Sequence, residues 1–69
     1  MVIYKVMYAK VPNGSSGNRA ALFFKEFDDE GEVEMWIAEQ GFVRQEAMVM
    51  MKSGSIWMEH QDQAQFFKS

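Results

Sequence analysis

Cysteine is absent from this chain. No disulfide can brace the fold, and no thiolate can bind zinc or act as a nucleophile. Proline occurs once, at Pro12, and histidine once, at His60. A single histidine with scattered carboxylates does not assemble the three or more ligands that a metal needs, nor a base with a fixed acid or nucleophile beside it. DDEGE, residues 28–32, lacks the Asp-x-Asp-x-Asp-Gly spacing of a calcium loop. The glycine-rich stretch PNGSSGN, residues 12–18, lacks the Gly-Lys-Ser/Thr ending that cradles phosphate. The expectation is therefore a protein that is not an enzyme, holds no metal and takes no cofactor.

Long apolar runs are missing too. No 18-residue apolar stretch exists, and Lys5 and Lys10 interrupt the start MVIYKVMYAK, which breaks any signal-like core. A soluble, cytoplasmic protein without membrane partners is expected. Basic clusters are also absent. The lysines and arginines stand apart at 5, 10, 19, 25, 44, 52 and 68, and the formal net charge is −3. Nucleic-acid binding through phosphate neutralisation needs a basic footprint, so no direct nucleic-acid contact is expected.

What the chain does have is apolar and aromatic surface: 48% hydrophobic and 14% aromatic residues in 69 positions, with six Phe, two Tyr and two Trp. That length supports one domain, 1–69, and a chain so short buries only about 60% of the surface that its unfolded form exposes. Some of this apolar surface should stay accessible or be hidden by self-association.

VIYKVMYAKV, residues 2–11, alternates and reads as a strand with Val2, Tyr4, Val6 and Tyr8 on one face and Ile3, Lys5, Met7 and Ala9 on the other. Residues 12–19 read as a loop. AALFFKEF, residues 20–27, is a second strand, with Leu22 and Phe24 on one side and Phe23 and Phe27 on the other. Its two faces are almost equally apolar, which suits a strand covered on both sides or one near an interface. DDEGEVEMWIAEQG, residues 28–41, reads as a helix capped by Asp28 or Asp29, with Gly41 as C-cap and a Val33/Trp36/Ile37 stripe completed by Gln40. The cost of glycine in a helix interior places Gly31 before the first full turn. Phe42–Met51 reads as extended, Ser53-Gly54 as a two-residue turn, and SIWMEH as the returning strand. The tail, 61–69, is polar apart from Phe66 and Phe67, at least one of which should dock. The expected fold is α+β: a two-layer domain in ββαββ order, a four-stranded antiparallel sheet with one helix packed on one face.

A Ser53-Gly54 turn opposes Met51 to Ile56, Met50 to Trp57 and Val49 to Met58. Alternation then sorts Ala47, Val49, Met51, Ile56, Met58 and His60 under the helix, and Met48, Met50, Lys52, Ser55, Trp57 and Glu59 outward. A turn one residue different exchanges the two faces. Met48, Met50 and Trp57 become the candidate partner-binding patch, extended by Ile3 and Met7. Three occupants are open: the tail, a second copy of the chain, or a foreign protein. Glu26, Asp28, Asp29, Glu30, Glu32 and Glu34 crowd the helix start. First-turn acids serve the helix dipole, but Asp29, Glu30 and Glu34 are also candidates for an electrostatic handle toward a basic partner surface.

FFKEFDDEGEVEMWI, residues 23–37, resembles small phage accessory proteins, in which a strand ending in Phe-Asp runs through acids into a helix with Glu and Trp-Ile. In plan the chain is similar to some anti-CRISPR inhibitors, which are short, cysteine-poor domains of sheet and helix. The resemblance implies a phage-encoded regulator or inhibitor that binds and blocks a host protein by surface contact, in the host cytoplasm. The alternative from the residues is a structural, self-assembling subunit that forms a homodimer through the open sheet face.

Overall fold

The computed structural model describes residues 2–10 and 20–67. The loop expected at 12–19 lies outside the described residues. Four strands form one antiparallel sheet: β1 (Val2–Lys10), β2 (Ala21–Phe27), β3 (Ala47–Ser53) and β4 (Ile56–Glu59), in the order β2-β1-β3-β4. A single helix, α1 (Glu30–Gln40), crosses one face, and a short 3-10 turn, Gln63–Gln65, follows β4. The domain is the expected two-layer α+β arrangement.

The helix begins where its cap dictates. Asp29 is extended (φ −139°, ψ 131°), and its carboxylate accepts the Glu32 N–H at 3.0 Å. Gly31 lies inside the first turn rather than before it. A Cβ at Gly31 would meet Asp29 Oδ2 at 3.0 Å, so glycine makes room for the capping carboxylate. Gly41 ends the helix at φ 73°, with its N–H on the Ile37 carbonyl at 2.9 Å. That left-handed conformation costs glycine little and other residues more.

Beneath the helix, alternation on β1 and β3 delivers Val6, Ala47 and Val49 to Val33 and Ile37 of α1, and Phe66 of the tail completes this buried core. A second, aromatic group adjoins it. Tyr8 stacks with Phe23 (5.6 Å between centroids) and meets Trp36 (5.3 Å) and Phe42 (5.0 Å), while Phe27 packs on Trp36 at 5.6 Å. Gln40, placed at the end of the helical stripe by spacing, is exposed.

Two expectations about the second hairpin need correction. Residues 42–46 do not extend β3. The Glu46 N–H bonds the Val43 carbonyl at 2.9 Å and its carboxylate accepts the Val43 N–H at 3.1 Å, so a local turn delays the strand to Ala47. The hairpin turn is Gly54-Ser55, not Ser53-Gly54: Ser53 faces Ile56, Lys52 faces Trp57, Met51 faces Met58 and Met50 faces Glu59. Gly54 has φ 79° and occupies the first central position, where the primed two-residue turns require positive φ. Displacing a two-residue turn by one shifts every partner by two positions. Both faces are therefore preserved, and only a change in turn length would exchange them.

Met58 and Ile56 share the helix side of the sheet but are not enclosed by it, being 51% and 66% exposed. Met51 is half-buried. The eleven-residue helix lies nearest β1 and β2, its Val33 and Ile37 share the core with Ala47 and Val49 of β3, and no β4 side chain joins that core.

Candidate interaction face

On the side of the sheet away from α1, side chains fall into four cross-strand rows that can be read from the register. Leu22 of β2 stands beside Ala9 of β1. Phe24, Met7 and Met48 form the next row. Glu26, Lys5, Met50 and Glu59 follow, and Ile3, Lys52 and Trp57 make the last. The middle of this surface is hydrocarbon, thioether and aromatic ring, with two ammonium groups and two carboxylates among them. Of its apolar side chains Leu22 and Phe24 are the most open, at 62% and 55%. Met7, Met48, Met50 and Trp57 are half-buried.

Lys5 organises the face. Its Nζ lies 4.2 Å from the Trp57 ring centroid and 5.0 Å from that of Phe24, so one ammonium bridges an aromatic ring on β4 and one on β2. Lys52 Nζ lies 5.7 Å from the same Trp57 ring. At the rim, Arg44 pairs with Glu59 at 3.0 Å. Both partners are about half exposed, so this pair adds little to stability.

The patch residues expected from alternation, Met48, Met50 and Trp57, thus stand together on the face opposite the helix, with Ile3 and Met7 beside them. Phe24, Leu22 and Lys5 complete the surface and were not singled out from sequence. The alternation of β2 was visible, but its pairing with β1 depends on a connection whose length does not define a register. The tail does not lie across this face as far as it is described: Phe66 is 4% exposed in the core beneath the helix, with Phe67 packed beside it.

Each acidic candidate has an internal occupation. Asp29 caps the helix. Glu30 accepts a hydrogen bond from the Tyr4 hydroxyl at 3.1 Å and another from the Gln65 side-chain amide, and lies 3.8 Å from His60 Nε2. Glu34 accepts from the same Gln65 amide at 3.3 Å. The Gln65 hydrogen bond, followed by that from Tyr4, holds the Glu30 carboxyl below the usual carboxylate range against the opposing effect of burial. Burial and the adjacent Glu30 push the Tyr4 hydroxyl upward. His60 is a packing residue here. Its Nδ1 accepts the Asp62 N–H at 3.0 Å, which leaves the ring proton of the neutral form on Nε2, and its ring meets Phe66 edge-on at 4.9 Å.

Among the described residues no group of three His, Cys, Asp or Glu side chains could hold a metal, and no helix is long and apolar enough to cross a membrane. Compared with family models, curated proteins and solved structures, the chain matches none.

Proposed function

We propose that this chain is a non-enzymatic binding domain that acts by laying the open face of its sheet on a partner protein, as a regulator or inhibitor of that partner. The carrying observation is the face itself. Ile3, Met7, Leu22, Phe24, Met48, Met50 and Trp57 share one side of the sheet, and among the described residues no layer covers them. Contiguous apolar patches on small proteins mark contact surfaces, and Trp and Met are enriched in the cores of such contacts. The acidic helix start would steer approach of a basic partner surface more than it would strengthen the final contact. Asp28 and Glu32, both exposed beside the candidates Asp29, Glu30 and Glu34, serve that steering best. A phage-encoded inhibitor acting in a host cytoplasm is the setting that the resemblance supports.

A second reading has its own support. The face carries Lys5 and Lys52 together with Glu26 and Glu59. A surface bearing both signs can be complementary to itself, so the face could be the core of a homodimer.

A photo-crosslinking residue at position 50, compared with one at the exposed helix position 35, tests both readings. A discrete foreign-protein adduct at 50, absent at 35 and lost with Trp57→Arg, supports the inhibitor reading. An adduct to a second copy supports the homodimer. Equal, non-selective labelling at both positions overturns the face as a binding surface.

A further inference from the structure

The two edges of the sheet are finished differently. At the β4 edge the strand has only four residues, and the neighbouring strand's backbone is closed off where β4 no longer pairs with it. Val49 donates its N–H to Gln63 Oε1 at 3.0 Å, and its carbonyl accepts from Gln63 Nε2 at 2.8 Å and from the His60 N–H at 3.0 Å. The Gln63 amide thus stands where another strand's peptide group would be. Arg44 donates to the Ala47 carbonyl at 3.3 Å.

The β2 edge has none of this among the described residues. Its seven residues pair with β1 in an unbroken register, from Phe27 opposite Tyr4 to Ala21 opposite Lys10, without a bulge, proline or glycine. It carries Leu22, Phe23 and Phe24 in succession, 62%, 38% and 55% exposed and projecting to both sides of the sheet. Proteins blunt edge strands by shortening, kinking, charging or covering them, because an open edge presents unpaired N–H and C=O groups to another strand.

We propose that the β2 edge pairs with the β2 edge of a second copy of this chain, antiparallel about a two-fold axis, so that two four-stranded sheets become one of eight strands. Symmetry and charge choose the register. A two-fold pair of this kind places residue i opposite a partner residue so that the two numbers always sum to the same even value. Full overlap of Ala21–Phe27 centres the pair on Phe24. In that register Phe24 faces its own copy, Leu22 faces Glu26 and Phe23 faces Lys25. Centring one residue later would set Lys25 against Lys25, and two later Glu26 against Glu26, and opposed like charges are destabilising. The register that overlaps most is thus also free of directly opposed like charges. Lys25 is the inward-pointing charge that often protects an edge. Here its Nζ turns back over the Phe27 and Trp36 rings, 5.7 Å from each, and a partner's Phe23 ring would offer it a further aromatic face. This pairing stands independently of what occupies the open face.

The test uses the chain's lack of cysteine. Directly opposed antiparallel residues have Cα atoms about 4.5–5.5 Å apart, within the range of about 4.4–6.8 Å that disulfides span. Phe23→Cys and Lys25→Cys are prepared separately and checked for native circular dichroism. Each alone, then an equimolar mixture, is oxidised. Both positions lie on the helix side, so a dimer formed through the open face cannot link them. The expected result is a heterodimeric disulfide in the mixture at least tenfold faster than either variant links to itself. Sedimentation of the unmodified chain should also show mass rising toward two chains as concentration increases from micromolar to millimolar. Rapid linking of F23C to itself would overturn the register. Linking in the mixture no faster than in the separate samples, or a monomer at every concentration, would overturn the pairing.

Discussion

Lys5 and Trp57 meet on the side of the sheet away from the helix, with the ammonium 4.2 Å from the indole centroid and the two residues on non-adjacent strands, β1 and β4. The contact reaches across β3, which lies between the two strands, and the Trp57 ring remains half-buried. A cation over an exposed indole is worth about 0.5–1 kcal/mol. The cation–π contact therefore adds little to the fold, and the open side of the half-buried ring is available for contact.

Trp57→Ala should accordingly separate folding from binding. Loss of the cation–π contact and of the half-buried ring should lower unfolding free energy by about 1–3 kcal/mol. A central interface tryptophan typically costs at least about 2 kcal/mol when truncated, or roughly thirtyfold in affinity. Denaturant melts and a titration against the captured partner measure the two quantities. Affinity unchanged within twofold would remove Trp57 from the contact.

Phe66 should behave in the opposite way. Its ring is 4% exposed among Val6, Val33, Ile37 and Val49, so Phe66→Ala should cost about 3–5 kcal/mol. A domain of this length has about 3–10 kcal/mol in total, at roughly 0.05–0.15 kcal/mol per residue. The variant should therefore lose between about a third and all of that stability. Phe67→Ala, at a half-buried position, should remain folded with a smaller loss. Thermal melts of the two side by side decide whether the tail is part of the core.

The edge-closing role of Gln63 yields a local readout. Gln63→Leu keeps bulk but removes both bonds to Val49. Stranding part-buried backbone groups should cost about 1–3 kcal/mol. Amide exchange at Val49 should accelerate more than exchange at Val6, in the strand next to it. Gln63→Glu keeps an acceptor for the Val49 N–H but turns a carboxylate oxygen toward the Val49 and His60 carbonyls, so it should not restore the protection of Val49. Equal acceleration across the sheet would show that Gln63 stabilises the domain in general rather than closing this edge.

The architecture was legible because its signals were local and periodic. Alternation in 2–11 separated Val6 from Lys5, and acids before Val33 and Ile37 with glycine after Gln40 bounded the helix. The two faces of the second hairpin were legible even though its turn was misplaced by one residue, because alternation survives a two-position shift in partners. The turn itself was misread because Gly54 can serve as the first or second residue of a primed turn, and the sequence alone does not choose. Phe24 and Lys5 were missed as parts of the patch because their juxtaposition is a matter of inter-strand register. The engagements of Glu30 and Gln63 join residues 35 and 14 positions from their partners, which no periodicity encodes.

Tyr4 and Glu30 share one hydrogen bond, and its two ends titrate on opposite sides of neutrality. Glu30 is held below its ordinary value of 4.5, chiefly by the Gln65 amide. Its contribution to stability is therefore fully present above the unfolded value and is lost as pH falls below about 4.5 through the folded value. Tyr4 is raised above 10.0, first by burial and then by Glu30. For a group with a raised value, stability is fully present below the unfolded value and is lost as pH climbs through the folded one. Unfolding free energy should thus be flat across neutrality and decline at both ends. Glu30→Gln should flatten the acid limb and also weaken the alkaline one, since Glu30 helps to raise Tyr4, while Tyr4→Phe should flatten the alkaline limb and leave most of the acid limb, whose largest cause is Gln65. Denaturant midpoints taken from pH 3 to 11 would show this. An acid limb unchanged by Glu30→Gln would mean that another carboxylate sets the acid sensitivity.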